Sequence, residues 1–458
     1  MATMMDVFFR TRVTSKAVEE LILHSEAFNQ LLVVESMGCG ISSPTDVRKN
    51  RRKLKSIGEV AVFVPGFRRP RATDFTQPLS EILPKDLVDR LTALKTRIVV
   101  MTAQAAAIAM KSKMRVMSRN GSSGFADLLF ALEDYLSVLL GLAKEESQLK
   151  DKVQFVWINQ EDNEEQTAIA NVWYEVLSVL HLMAVICLAE ANALLLPITP
   201  NTGYQLRVSE EGRRRSIDVL LKAAGYLYYA IHNVLTQMPL DVRGNLPVDL
   251  SEGELNALCM QALGQGVDFQ LGMAIDSPKA TLAVKRRLSC EMVKYWHQAE
   301  VSIEKVLFNG GWGEKHRLFV KWKYVEAKAA AYYYHGLILD EGKTEKSHRM
   351  AEAALKAAEV FLKESKRACD VFNAAQPTSR NPPPWGPMKY LSDKIPKEAS
   401  IRCSLNQELN SQERILQAAP PLPDFALALQ PDDYQLPPLD PSWNNIRSTT
   451  MNLNLQEK

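Results

Sequence analysis

Residue types that do chemistry are present in this 458-residue chain, but their spacings do not assemble into working sites. The seven histidines match no metal-ligand spacing. There is no His-Glu-x-x-His, and His316 and His335 stand 19 residues apart on one helical stretch, which scatters them. Gly264-Gln-Gly266 has Phe269 where a dinucleotide fingerprint needs its third glycine. Gly310-Gly-Trp-Gly313 lacks the hydroxyl residue of a phosphate loop, and Gly121-Ser-Ser-Gly124 is too short for a nucleophile elbow. Cys39, Cys187, Cys259, Cys290, Cys369 and Cys403 show no CxxC pairing. Without a secretory signal at the start, they are expected as reduced thiols. No enzyme activity, metal or other cofactor is expected.

The one motif with covalent consequences is Met37-Gly-Cys-Gly-Ile-Ser42, which fits the N-myristoylation pattern with Gly38 as acceptor. Acylation requires that glycine to be exposed by loss of an initiator methionine, so the motif works only where translation begins at Met37. Residues 1–36 are then expected to be a leader or gene-model extension, with a marginal helix at best. Cys39 offers a palmitoylation site, and one acyl chain needs a second signal for stable attachment. Arg48, Lys49, Arg51, Arg52, Lys53 and Lys55 supply an electrostatic one. From Ser42 to Arg71 nine basic residues face Asp46 and Glu59, a local charge of +7 in a chain of net +2. The ordinary alternative is a solvated basic arm. Near-neutral charge overall argues against nucleic-acid binding.

The elements behind these motifs are helical. Apolar residues are 46% and charged residues 24% of the chain, as in globular proteins, and 13 of its 23 prolines fall between Pro377 and Pro441. Capping and periodicity predict helices over 84–117, 124–148, 164–196, 209–237, 251–274, 278–308, 313–341 and 345–374, joined by short turns that favour antiparallel neighbours. Ser251-x-x-Glu254 reads as a capping box, and Ser277-Pro278 as an N-cap before an N1 proline. Glu59–Val64 and Val153–Ile158 read as strands able to pair in a small sheet. Val172–Leu196 is very apolar. Its longest run without a formal charge is 14 residues, short of the ~20 a bilayer crossing needs, so a buried core helix is expected.

Ala327–Asp340 and the following Ser347–Ala358 place small residues where two helices cross and aromatics one turn away, the logic of a tetratricopeptide hairpin. No clean second copy follows, so a helical solenoid is favoured over a repeat array, with a concave face suited to a peptide helix. The tail from Thr378 is Pro-rich. Phe425, Leu427, Leu429, Tyr434, Leu436, Leu439 and Trp443 predict a strap packed along the helices. Disorder is expected after Asn444.

Four segments together resemble the Bro-one domain family of Alix-type endosomal adaptors, most closely plant endosomal-targeting members, over residues 57–445. They are Gln154-Phe-Val-Trp-Ile-Asn159; Glu175–His181 continuing to Ala189-Glu-Ala-Asn192; Leu258–Ala274; and Tyr332-Tyr-Tyr-His-Gly336. The Leu-Pro-Asp-Phe425 strap is similar to the family's return segment. The resemblance implies a mainly α, boomerang-shaped helical solenoid with tetratricopeptide-like hairpins, a small β-sheet near the N-terminal part and an extended Pro-rich C-terminal strap. It further implies a scaffold recruited to endosomes; the protein is expected to be a non-enzymatic monomer, cytoplasmic and peripheral on endosomal or other cytosol-facing membranes. The implied partners are ESCRT-III subunits of the charged multivesicular body protein class, to which the basic run adds an anionic membrane surface. The partner's C-terminal amphipathic helix would lie on an apolar patch formed by Phe269, Leu271, Met273, Ile275 and Leu282. Lys285 and Arg286 stand where the family's second apolar residue of the lower patch is expected. The alternative is a tetratricopeptide-like cochaperone or other peptide-binding module, for which no carboxylate clamp is identified.

Overall fold

The structure, a computed structural model, describes residues 56–110, 121–144, 149–159, 165–195, 208–308, 310–381, 387–409 and 418–443. Gly38, Cys39, the basic residues from Arg48 to Lys55, the 1–36 leader and the tail beyond Asn444 lie outside the described residues.

The long helices are α1 Lys85–Met110, α2 Gly121–Leu139, α3 Val172–Leu195, α4 Glu210–Tyr229, α5 Glu252–Asp276, α6 Leu282–Ile303, α7 Gly311–Asp340, α8 Glu345–Ala374 and α9 Pro387–Leu409. Each packs on the next in sequence, so the helices form a stack of antiparallel neighbours. The fold is mainly α, with a small three-stranded sheet near the N-terminal part. Where helices approach closely, small residues occupy the crossing. At Gly336 of α7, a Cβ would come within 2.8 Å of Leu355 of α8, as the hairpin pattern requires. Helix α3 is long and apolar enough to cross a membrane, yet 89% of its most apolar window is buried within the protein; it is a core helix here.

Helix starts follow side-chain caps. Ser209, Ser251 and Thr344 accept the N–H groups of Gly212, Glu254 and Ser347. Ser251 does half of the expected capping box. The Glu254 carboxylate turns inward to His316 Nδ1 at 2.7 Å, instead of back to its own cap. Two predicted starts move by four residues or more. Residues 166–169 form a strand, and α3 begins only at Val172, where Asn171 Oδ1 accepts the Trp173 and Tyr174 N–H groups. Helix α6 begins after Thr281, which accepts the Val284 N–H, so Ser277-Pro278 lies in the turn that precedes it.

The predicted strand pair is corrected. Arg69–Pro70 pairs antiparallel with Phe155–Ile158, which pairs in turn with Gln166–Ile169. Ser56–Glu59 pairs in parallel with Thr378–Arg380. Val60 to Val64 is irregular, with Val60 to Phe63 buried, because helix side chains take over its backbone partners. Asn192 Oδ1 accepts both the Ala61 and Val62 N–H groups at 2.8 Å, and Gln261 Nε2 donates to the Phe63 carbonyl at 2.9 Å. Phe63 fits among Trp312, His316, Phe319 and Phe372. Helix α9 inside the Pro-rich tail was not expected; it starts beyond the proline run and carries Pro396 internally.

Candidate functional site

Helix α5 lies between α4 and α6, and other parts of the chain reach it from further sides. Gln261 on α5 holds the Phe63 segment. At Gly266, the Leu429 side chain from the strap approaches so closely that a Cβ would stand 3.1 Å from it. This enclosure corrects part of the predicted patch. Phe269 and Leu271 are 1% and 0% exposed, so both are core and present no surface. Met273 and Ile275 near the C-terminal end of α5, and Leu282 at the start of α6, are half-buried and pack on the edge of the core. They form the part of the expected patch that remains accessible.

The strap fills the hollow that the sequence left open. It crosses α6, α5 and α4 before reaching α2. On α6, the Glu291 carboxylate accepts the Ala428 and Leu429 N–H groups at 2.5 and 3.0 Å, and the Tyr295 hydroxyl donates to the Leu429 carbonyl. Burial raises the Glu291 pKa, and the two N–H donors work against that rise. Lys294 pairs with Asp424 and donates to the Phe425 carbonyl. The Arg286 guanidinium lies over the Phe425 ring. On α4, Asp432 N–H donates to the Leu221 carbonyl, and Tyr434 packs edge-on against Tyr226 and Tyr229. At the far end, Asp440 pairs with Arg90 at 2.6 Å, and Trp443 Nε1 donates to the Val138 carbonyl.

Between α4 and the strap is an open cleft of about 300 Å³ lined by Tyr228, Tyr229, Asn233, Asp432, Asp433 and Tyr434. It brings together no nucleophile and base. Among the described residues, no group of three or more His, Cys, Asp or Glu is arranged to hold a metal. The buried titratable groups instead hold elements together. Lys95 donates to Glu175 at 2.5 Å, and Tyr135 and Trp157 donate to the same carboxylate. Desolvation lowers the Lys95 pKa more than Glu175 raises it. Arg68 pairs with Asp249 at 2.6 Å, and Lys323 donates to Asp268 at 2.9 Å and also meets Glu326.

A protein-family model described as BRO1-like domain matches residues 64–412, well over half of the sequence. The chain belongs to the BRO1-like domain family. No curated protein matches it. Among solved structures, the BRO1-like chain is similar to ALIX in complex with the SIVmac239 PYKEVTEDL late domain. The TM-score is 0.54 at 15% identity, covering 83% of this chain and 49% of that one. It is similar to the ALIX BRO1–CHMP4C complex, TM-score 0.52 at 15% identity, covering 84% of this chain and 97% of that one. A Bro1 domain structure described as a basis for endosomal targeting gives TM-score 0.52 at 15% identity, covering 86% and 98%. The chain thus spans about half the length of the first ALIX structure and nearly all of the BRO1-domain ones.

The sequence reading missed the residues that hold the strap. Glu291 and Tyr295 stand at i and i+4 on α6, a spacing legible as one helix face. What they bind is an extended segment more than 130 residues later in the chain.

Proposed function

We propose that this protein is a non-enzymatic endosomal adaptor that binds the C-terminal amphipathic helix of an ESCRT-III subunit in multivesicular body sorting. Its partner surface is the end of the helical stack where α5 turns into α6. The observation that carries this reading is the coincidence of membership in the BRO1-like family with half-buried, still accessible Met273, Ile275 and Leu282 at that turn. A solved complex of the ALIX BRO1 domain with CHMP4C supports the partner class. An apolar stripe of a partner helix, with anchors one turn apart, suits such a surface. Peripheral attachment to endosomal membranes, through acylation at Gly38 and Cys39 and the basic residues from Arg48 to Lys55, is part of the proposal.

The test is titration of C-terminal peptides from charged multivesicular body proteins against the full chain and its Met273→Asp/Leu282→Asp variant. Binding should weaken on the order of thirtyfold or more, as for loss of central apolar anchors, with the helical circular dichroism and cooperative unfolding of a folded chain retained. Equal affinity of both proteins contradicts the assigned surface. Failure of every such peptide to bind contradicts the assigned partner.

A further inference from the structure

Several buried or half-buried cations among the described residues have a carboxylate. Arg68 has Asp249, Arg213 has Asp276, Arg402 has Asp340 and Lys323 has Asp268. Lys285 and Arg286, in the first turns of α6, form no ion pair among the described residues. Both are only partly exposed, and burial lowers the Lys285 pKa. Arg286 Nε is buried without a hydrogen bond, and so is Nδ1 of His335, the α7 residue close enough to Arg286 for its charge to be felt. Among the described residues, the guanidinium lies over the face of Phe425.

Carboxylates at this end are engaged elsewhere. Asp276 at the end of α5 holds Arg213 at 2.7 Å, and Asp340 at the end of α7 holds Arg402 at 2.7 Å and also His348. Asp424 on the strap holds Lys294; Glu291 accepts two strap N–H groups on Oε1 and has Arg287 nearby, its buried Oε2 making no hydrogen bond to Arg286 or to any other described residue. A partly desolvated guanidinium with an unfilled donor is unfavourable until an acceptor arrives. Here it sits one helical turn from Leu282, on the same face of α6, with half-buried Val293 two turns further on. Apolar contact and unmet positive charge therefore lie side by side.

We propose that Arg286, supported by Lys285, is the specificity determinant of this surface, and that the partner is an amphipathic helix carrying a carboxylate beside its apolar stripe. Arg286 supplies a fork of donors that a Glu or Asp side chain can accept in two bonds. The inference rests on the partner-helix reading above and deepens it by naming the charge of the ligand. A wholly apolar or basic helix leaves Arg286 unpaired beneath it and binds worse for that reason.

The test uses designed helical peptides sharing one Leu/Ile stripe, with Glu, Gln or Lys at the flanking position, titrated against the full chain. The Glu peptide should bind on the order of tenfold or more tighter than the Gln peptide, and the Lys peptide weakest. Arg286→Gln should abolish the difference between Glu and Gln. Arg286→Glu should reverse the order, so that the Lys peptide now binds best. Equal affinities for the three peptides overturn the inference. So does an Arg286→Gln/Lys285→Gln chain that keeps its preference for the Glu peptide. Loss of sedimentation with phosphatidylserine vesicles, without any effect on peptides, would make the pair a lipid contact and overturn it as well. If the Glu peptide binds while charged multivesicular body peptides do not, the charge rule stands and the partner assignment fails. If those peptides bind regardless of Arg286, the assignment stands and the charge rule fails.

Discussion

Single side chains in this protein act mainly as structural pins, and their removal has signed consequences. Phe269 is core, so Phe269→Ala should lower stability by about 3–5 kcal/mol in chemical unfolding, and its effect on binding should track the loss of fold. A variant of wild-type stability that loses binding would restore Phe269 to the partner surface. Glu175→Ala strands the buried Lys95 ammonium and should cost about 3–5 kcal/mol. Lys95→Met/Glu175→Leu should recover much of that, because no charge is then left without a partner. His181 titrates in the opposite sense to a histidine held in an ion pair, whose pKa is raised. Burial pushes its pKa down from 6.5 to about 4, so the unfolded chain binds the proton first. Its contribution is constant above about pH 6.5 and falls as pH drops toward 4, by about 2 kcal/mol between pH 7 and 5. Urea unfolding at both pH values should show that part of the loss vanish in His181→Leu. The difference between Phe269 and Leu282 was not legible in sequence, since both lie on apolar helical periodicities; only the strap and the Phe63 segment decide which is covered.

At the scale of elements, the helices were readable because capping and periodicity are local, whereas the strand partners were not. Val60 to Val64 has strand composition, yet its backbone is satisfied by Asn192 and Gln261, residues about 130 and 198 positions away. Arg69–Pro70 is too short to signal a strand, and only its register with Ile158 and Trp157 makes it one. The strap was legible from its spaced apolar residues, but its track is set by glycines on three elements. A Cβ at Gly141 would strike the Trp443 ring, at Gly225 it would come within 2.5 Å of the Asp432 carbonyl, and at Gly266 within 3.1 Å of Leu429. Gly225→Ala should therefore lift the strap from α4. Limited proteolysis should then cut faster between Asp424 and Asp440 while helical circular dichroism is retained. Leu429→Ala should lower stability by about 2–5 kcal/mol, and Glu291→Ala should speed the same cleavage. Unchanged cleavage in both Gly225→Ala and Glu291→Ala would mean that the strap is held by other contacts.

For the whole molecule, a stack of neighbouring helices leaves its ends and its faces as the available surface. The chain's own strap already occupies the face over the middle of α5. The surface where α5 turns into α6 keeps apolar residues half-buried and holds two cations that form no ion pair among the described residues. That combination, in a chain of the BRO1-like family, is the reason for placing a partner helix there. The most direct measurement is amide hydrogen exchange of the full chain with and without a saturating charged multivesicular body C-terminal peptide. Protection should concentrate from Met273 to Val293 and around His335, with little change along α1 and α2. Protection centred on α1, α2 or the outer face of α8, with none at the turn between α5 and α6, would contradict the account.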